Sequence, residues 1–379
     1  MCMTFKQFLK HFIPVSYHKL DKQRKLIKEQ KKSINSLEKE QKKLLARIEK
    51  LEKEQKSMSR TVAANDKRSR DAFSRAKYAK LWVDDKKRME DHDYFSEVPE
   101  HLYAQELADW YYKVKGVRLD YENPQTYNEK IQWLKVYDNT PIKTTLTDKY
   151  LVRDWVKERI GEKYLTKLLG VWDDFDDIDF DTLPDQFVLK TNHGCKMNYI
   201  VTDKSTLNIS DARRKFKKWL NINYAYWWGI EPQYKNIKPR IIAEEYLKND
   251  DEDLYDYKIW CFDGKPKYIA FIAERYTKGT RIAIYDTEWK RQDFVYEFER
   301  LEYDPEKPDN LDEMLEIAEK LCKDFCHVRV DLYRLNNGDI KFGEMTFSTS
   351  SGVSKWDPPE YDKILGDMMT LPEKSEMSF

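Results

Sequence analysis

Long apolar runs are missing from this chain. None of its 379 residues falls in a stretch near the roughly 18 apolar positions of a membrane-spanning helix, and the short apolar stretch at the N-terminus is broken by charges. Neither a transmembrane helix nor a secretory signal is predicted. Cysteine is scarce: Cys2, Cys195, Cys261, Cys322 and Cys326 are odd in number and irregular in spacing, which excludes a disulfide framework and points to a reducing compartment, the cytoplasm. Cys322, Cys326 and His327 lack the further ligands of a zinc site and read as core residues. No nucleophile elbow, Walker loop or Rossmann glycine fingerprint occurs, so the chemistry must rest on other groups.

Net charge is absent only in sum. The totals are 68 Lys and Arg against 68 Asp and Glu, yet through Glu90 the count is 26 against 12, leaving 42 against 56 beyond it. Two different bodies are joined. Residues 1–15 form an amphipathic helix with Phe5, Phe8, Leu9, Phe12 and Ile13 on one face and Lys6, Lys10 and His11 on the other. That face suits an anionic membrane surface or a partner, with packing on the protein's own body as the alternative. Residues 16–60 carry heptads with Leu20, Ile27, Ile34 and Ile48 at one seam position and Leu37, Leu44, Leu51 and Met58 at the other, which predicts a coiled coil and a homo-oligomer. Residues 61–93 form a basic linker whose mixed charges read as a solvated face, not a nucleic-acid arm.

From residue 94 to 379 the composition is that of a globular α+β domain. Thr126 and Glu129 make a capping box ahead of Ile131, Trp133 and Leu134. Strands are predicted over Phe187–Lys190, Ile241–Leu247, Tyr257–Phe262, Tyr268–Ile272, Arg281–Tyr285, Val328–Leu332 and Ile340–Met345, and helices over Asp148–Ile160, Ser210–Leu220 and Leu311–Cys326. Asp263-Gly264 and Asn337-Gly338 are hairpin turns by residue type.

Three segments carry candidate chemistry. A two-residue turn at Asn337-Gly338 sets Asp331 opposite Glu344 and Arg329 opposite Thr346. Carboxylates so placed repel unless a cation sits between them, and hard oxygen donors suit magnesium. By this reasoning Asp331→Asn relieves repulsion and spares the fold. The strand ending at Lys190 opens into Thr191-Asn192-His193-Gly194, where a lysine and backbone donors can meet phosphate oxygens. His193 itself reads as a structural hydrogen bonder. Ile241 to Leu247 is a strand running into the paired acids Glu244 and Glu245, which could meet a ribose while its backbone holds an adenine, or could simply be solvated.

Together, and in this order, these segments resemble the TupA-like branch of the ATP-grasp superfamily, associated with teichuronopeptide and other cell-surface polysaccharide biosynthesis. The resemblance covers about Asp120 to Trp356. It is carried by Asn123 to Trp133, Asp148-Lys149 with Arg153, Lys190 to Gly194, Asp256 to Ile259, and Arg329, Asp331 and Glu344 followed by Ser348 to Gly352. It implies an ATP-grasp fold using ATP and Mg2+. Lys149 and Lys190 are then the phosphate lysines, His193 and Gly194 belong to the nucleotide loop, and Glu244, Glu245, Tyr246 and Leu247 form the adenine and ribose segment. Asp331 and Glu344 are the metal ligands, and Lys258 and Arg329 the phosphate-facing cations. Ser350, within Ser348–Gly352, is expected at the acceptor carboxylate or acyl phosphate. Thr346 stands where the family often has Asn, and Cys195-Lys196-Met197 where a second glycine is common. The implied reaction is an ATP-dependent ligation of a uronic-acid carboxylate, on a glycan or lipid-linked sugar, to an amino acid or other amine, at the inner face of the cell membrane. A glycan kinase and a nucleotide-binding scaffold are the alternatives.

Overall fold

The structure, a computed structural model, describes residues 85–249, 254–274 and 279–374. The chain divides into two units, Met1–Val83 and Asp84–Phe379, and every described residue belongs to the second. The amphipathic helix expected over 1–15, the coiled coil over 16–60 and most of the linker over 61–93 lie outside the described residues. Among those residues no helix is long and apolar enough to cross a membrane. Helix α1 (Asp85–Ser96) runs across the boundary expected between residues 93 and 94, with Phe95 buried.

Local chemistry sets the helix ends. Helix α2 (Tyr103–Lys115) stops at Gly116, whose φ of 74° is the left-handed cap that glycine adopts without a Cβ penalty. Helix α3 (Tyr127–Tyr137) starts at the predicted capping box: the Thr126 hydroxyl accepts from the Glu129 N–H at 3.3 Å, and the Glu129 carboxylate accepts from the Thr126 N–H at 2.9 Å. After α4 (Pro141–Thr147), the helix expected over Asp148–Ile160 is confined to α5 (Val152–Arg159). The Asp148 carboxylate accepts from the N–H groups of Tyr150 and Leu151 at 2.8 and 3.2 Å, a local turn that competes with helix formation.

The first sheet holds β1 (Leu168–Trp172), β2 (Phe187–Thr191), β3 (Asn198–Val201) and β4 (Ile241–Glu245) in the antiparallel order β1-β4-β2-β3. Helix α6 (Ile209–Leu220) covers it, burying Ala212 and Phe216 against Leu189, Val201 and Ala243. Strands β1 and β3 have no predicted counterpart.

The second sheet runs β11-β10-β5-β6-β7-β9, built from β5 (Tyr255–Phe262), β6 (Lys265–Ala273), β7 (Arg281–Asp286), β9 (Glu299–Arg300), β10 (His327–Arg334) and β11 (Ile340–Thr346). Helix α7 (Leu311–Cys322) packs Met314, Ile317 and Leu321 on one face, against Ile259, Val328, Val330 and Leu332. It ends four residues earlier than expected. The opposite face buries Trp260, Phe262 and Ile272 against Tyr127, Ile131 and Leu134 of α3 and Leu365 of α8 (Tyr361–Asp367). There the short strands β8 (Val295–Tyr296) and β12 (Trp356–Asp357) also pair.

The two predicted hairpins turn out differently. At Asp263-Gly264 the register pairs Phe262 with Lys265, and both turn residues have positive φ, 49° and 72°, as a tight hairpin of this twist requires. The Asn337-Gly338 turn is wider than predicted. Arg334 pairs with Ile340, and Leu335 N–H donates to the Asp339 carbonyl at 2.9 Å, leaving Asn336, Asn337 and Gly338 in the loop. The Asn337 side chain accepts from the Asp339 N–H at 3.0 Å, a bond that stabilises the longer turn. A bulge between Leu332↔Phe342 and Asp331↔Glu344 then absorbs one residue, Gly343. Asp331 therefore does lie opposite Glu344, through the sum of a longer loop and a bulge.

Candidate active site

Side chains alternate across a strand, so one face of the second sheet collects Asp256 and Lys258 from β5, Arg329 and Asp331 from β10, and Glu344 and Thr346 from β11. Val328, Val330 and Leu332 point the other way, into the core beneath α7. The register sets Asp331 between Lys258 on one side and Glu344 on the other. Arg329 grips Asp331 with two bonds, Nε to Oδ1 at 2.6 Å and Nη2 to Oδ2 at 2.8 Å. Lys258 Nζ pairs with the same carboxylate and with Asp256 Oδ2 at 3.0 Å. Arg329 Nη2 also reaches Thr346 Oγ1 at 3.1 Å and Glu344 Oε1 at 3.5 Å.

The segment after α4 and the loop after β2 supply further groups. Lys149, just after α4, donates from Nζ to the Gly194 carbonyl at 2.8 Å and stands 3.4 Å from Glu344 Oε2, which ties the loop after β2 to the second sheet. Asn192 anchors that loop by donating to Asp148 Oδ2 at 2.9 Å and accepting from the Arg240 N–H at 2.7 Å. A Cβ on Gly194 would stand 2.8 Å from Met197 Sδ and 2.9 Å from the Tyr224 ring, so a side chain there would have to displace both. Burial would push the Glu344 carboxyl up, but Lys149, Lys258 and Arg329 outweigh it and hold the group at about 2. Glu344 is thus an anion throughout the neutral range.

The structure brings Lys149, Gly194, Lys258, Arg329, Asp331 and Glu344 into one constellation and places other predicted residues differently. Lys190 pairs with Glu244 at 2.6 Å, and Arg153 holds the other oxygen of Glu244 at 3.2 Å. Glu244 is a buried counter-ion to those cations, not an open ribose ligand. Glu245 accepts from the Lys167 N–H at 3.1 Å, and β4 stops there, leaving Tyr246 and Leu247 beyond the strand. His193 turns away from the charged groups: its Nε2–H faces the carbonyls of Trp219 and Ile222 at 3.2 and 3.1 Å, and burial pushes its pKa down. Ser350 sits in the turn after β11, half-buried, at φ 51°.

The repulsion argument for a metal needs correcting. Arg329 already lies between the two carboxylates and Lys258 neutralises Asp331 from the other side, so the pairing does not by itself demand an added cation. What fits a divalent ion is the donor chemistry. Two hard carboxylates face each other, and the bonds to Glu344 are long enough to leave its oxygens available. Among the described residues no third His, Cys, Asp or Glu completes a protein-only cage. Such a donor set suits magnesium, which takes its remaining oxygens from phosphate and water.

Several residues of the site escaped sequence reading. Asp256 was legible as the period-two neighbour of Lys258. Glu297 was not: it is the centre of a three-residue turn, with φ 59° and Phe298 N–H donating to the Tyr296 carbonyl at 2.6 Å. Its carboxyl is pushed up by burial and pulled down by Arg329, Lys196 and Lys258. Tyr234, from a loop of short helical turns, sits near Glu231, Glu344 and Arg329, and burial raises its phenol's pKa.

Among curated proteins a sequence comparison finds no match. Solved structures to which this chain is similar include an L-amino acid ligase from Bacillus licheniformis, with 12% identity over 60% of this chain and 50% of that one at a TM-score of 0.38. Another is the ATP-grasp ligase PsnB complexed with a phosphomimetic variant of its minimal precursor, Mg and ADP, at 11%, 60%, 59% and 0.36 in the same order. A third is an N5-carboxyaminoimidazole synthetase from Staphylococcus aureus complexed with ADP, at 13%, 62%, 54% and 0.35. This chain spans between 50% and 59% of the length of those three. The assignment rests instead on the family model, which matches residues 129–370, more than half of the sequence: the chain belongs to the TupA-like ATP-grasp family.

Proposed function

We propose that this protein is an ATP- and magnesium-dependent ligase that joins a carboxylate to an amine through an acyl phosphate. The observation that carries the reading is Asp331 facing Glu344 with Lys149, Lys258 and Arg329 around them. Lys149, Lys190 and the Gly194 loop would meet the nucleotide phosphates, and Asp331 and Glu344 would hold the metal. Magnesium, when bound, withdraws charge from the phosphate oxygens. Phosphoryl transfer asks little covalent chemistry of a protein and much positioning and positive charge, so the lack of an activated nucleophile is no obstacle. A substrate carboxylate oxygen would attack the γ-phosphorus and expel ADP. The amine nitrogen would then attack the acyl carbon, lose a proton and expel phosphate. Arg329 and Lys258 would hold the transferring group, and Ser350 the acceptor.

For the substrate we propose a uronic-acid carboxylate of a surface glycan or of its lipid-linked precursor, with an amino acid or other amine as co-substrate. Residues 1–15 would then bring the enzyme to the inner face of the membrane. Incubation with ATP, magnesium and a panel of uronic acids and amines, read by mass spectrometry and phosphate release, tests the whole reading. A condensed product with one free phosphate is expected. A phosphorylated sugar without condensation would make the protein a kinase, and nucleotide binding without turnover would make it a scaffold.

A further inference from the structure

Beneath the acceptor end of the site lies a buried polar cluster that phosphoryl transfer does not use. The chain leaves β11 through Phe347 into a tight turn, Ser348–Gly352, in which Ser350, Ser351 and Gly352 all have positive φ, 51°, 52° and 70°. Glycine takes that conformation freely, whereas a serine's Cβ crowds the neighbouring carbonyl oxygen there. Something must hold the turn.

Two residues one helical turn apart on α3 do so. Gln132 Nε2 donates to the carbonyls of Ser351 and Gly352 at 2.8 and 2.9 Å. Lys135 Nζ donates to the Ser351 carbonyl at 3.0 Å, to Ser351 Oγ at 2.6 Å and to Gln132 Oε1 at 3.2 Å. At the other end of the turn the Ser348 hydroxyl donates to Glu231 and accepts from Gln233 at 2.6 Å. The turn is clamped at its ends by two buried groups of opposite charge. Of its four hydroxyls, Ser348 and Ser351 are tied inward and Thr349 lies 3.5 Å from Arg329 Nη1. Ser350 makes no side-chain hydrogen bond among the described residues and is the one left half-exposed.

We propose that Lys135 is a positioning residue whose ammonium holds the Ser348–Gly352 turn in its left-handed form and so presents Ser350 to the acceptor carboxylate or acyl phosphate. The acceptor's identity rests on the ligase reading; the clamp does not. The proton count gives the clamp its sensitivity. An ammonium has three donors, and all three are used on three acceptors. A neutral amine has two, so deprotonation leaves one acceptor unmet and removes the charge opposite Glu231. Among the described residues the charged group that faces Lys135 is Glu231. From α2 the Trp110 ring lies 5.3 Å away, and from the turn and α3 there are only neutral acceptors. Burial pushes Lys135 down to about 7 and pushes Glu231 up, so the clamp loosens as pH rises through neutrality.

The test is amide hydrogen exchange on the full-length protein, comparing wild type with Lys135→Met and Lys135→Arg, alongside calorimetric titration with Mg-ATP. In Lys135→Met, exchange over residues 348–353 should quicken about tenfold or more, while peptides of β10 and β11 and the Mg-ATP affinity change less than about threefold. In wild type, protection of the turn, corrected for intrinsic exchange, should fall between roughly pH 6 and pH 8, and in Lys135→Arg it should be flat. Equal protection of the turn in wild type and Lys135→Met would overturn the proposal, as would protection lost evenly across the strands. Should Lys135→Met fail to fold, a pH dependence shared by wild type and Lys135→Arg would overturn it equally. None of these readings needs a product, so failure of the clamp and failure of the ligase reading stay separable.

Discussion

Asp331 answers to two demands. It is 1% exposed, bears the charge that neutralises Arg329 and Lys258, and faces Glu344 as half of the proposed metal pair. Removing its charge would leave two cations short of a partner in a buried setting. Asp331→Asn is therefore expected to cost about 3–5 kcal/mol of stability as well as activity, contrary to the expectation from carboxylate repulsion alone. Glu344→Gln is the cleaner probe, because its contacts at 3.4 and 3.5 Å are long. It should fold with a smaller fall in urea midpoint than Asp331→Asn, because the stabilisation that Lys149, Lys258 and Arg329 give its carboxylate is partly screened by solvent, and lose magnesium-dependent ATP turnover by about 100-fold or more; unchanged turnover would remove this hairpin from the active site. His327 tests the core beside it. Its Nδ1–H donates to the Cys261 carbonyl at 2.9 Å, its Nε2 accepts from the Tyr127 hydroxyl at 2.9 Å, and burial lowers its pKa to about 3. Below the usual histidine pKa the unfolded chain binds a proton that the folded one refuses, so stability falls with falling pH by about 1.4 kcal/mol per unit until the folded value is reached. Urea unfolding at about pH 7 and about pH 5 should show a loss near 2 kcal/mol in wild type, and a clearly smaller one in His327→Gln.

At the scale of elements, the site depends on a cancellation. The three-residue loop at Asn336 to Gly338 would by itself put Asp331 out of register with Glu344, and the bulge at Gly343 restores the pairing. A Cβ at Gly343 would lie 3.1 Å from the Asp331 carbonyl oxygen and 3.2 Å from the Tyr333 ring, so a branched side chain there must displace one of them. Gly343→Val should cost about 1–3 kcal/mol by overpacking and reduce ATP turnover more than its stability loss explains. Wild-type turnover in a folded Gly343→Val protein would show that the register is not critical. Helix α3 has a parallel role, since its capping box sets where it begins and so aims Gln132 and Lys135 at the turn after β11.

For the whole molecule, the division of charge near Glu90 and the apolar seam in residues 16–60 predict an assembly carried by the N-terminal unit. Full-length protein should scatter light as an oligomer at micromolar concentration, and residues 84–379 alone should have lower mass; a monomeric full-length chain would end that idea. The α+β class, seven of the strands in core position, the capping box and the residue types of the charged cluster on β5, β10 and β11 were all legible from the sequence, because period, cap chemistry and side-chain type are local properties. Lys258 and Asp331 could be named from the sequence, but their pairing follows only from β5 lying beside β10. The burial of Glu244 between Lys190 and Arg153 joins residues up to 91 positions apart. The clamp on Ser348–Gly352 spans more than 200. Sequence alone determined which chemical groups this protein carries and which face of each strand they take. Only tertiary structure decided which charges neutralise one another, because that depends on distances between chain segments that no local periodicity encodes.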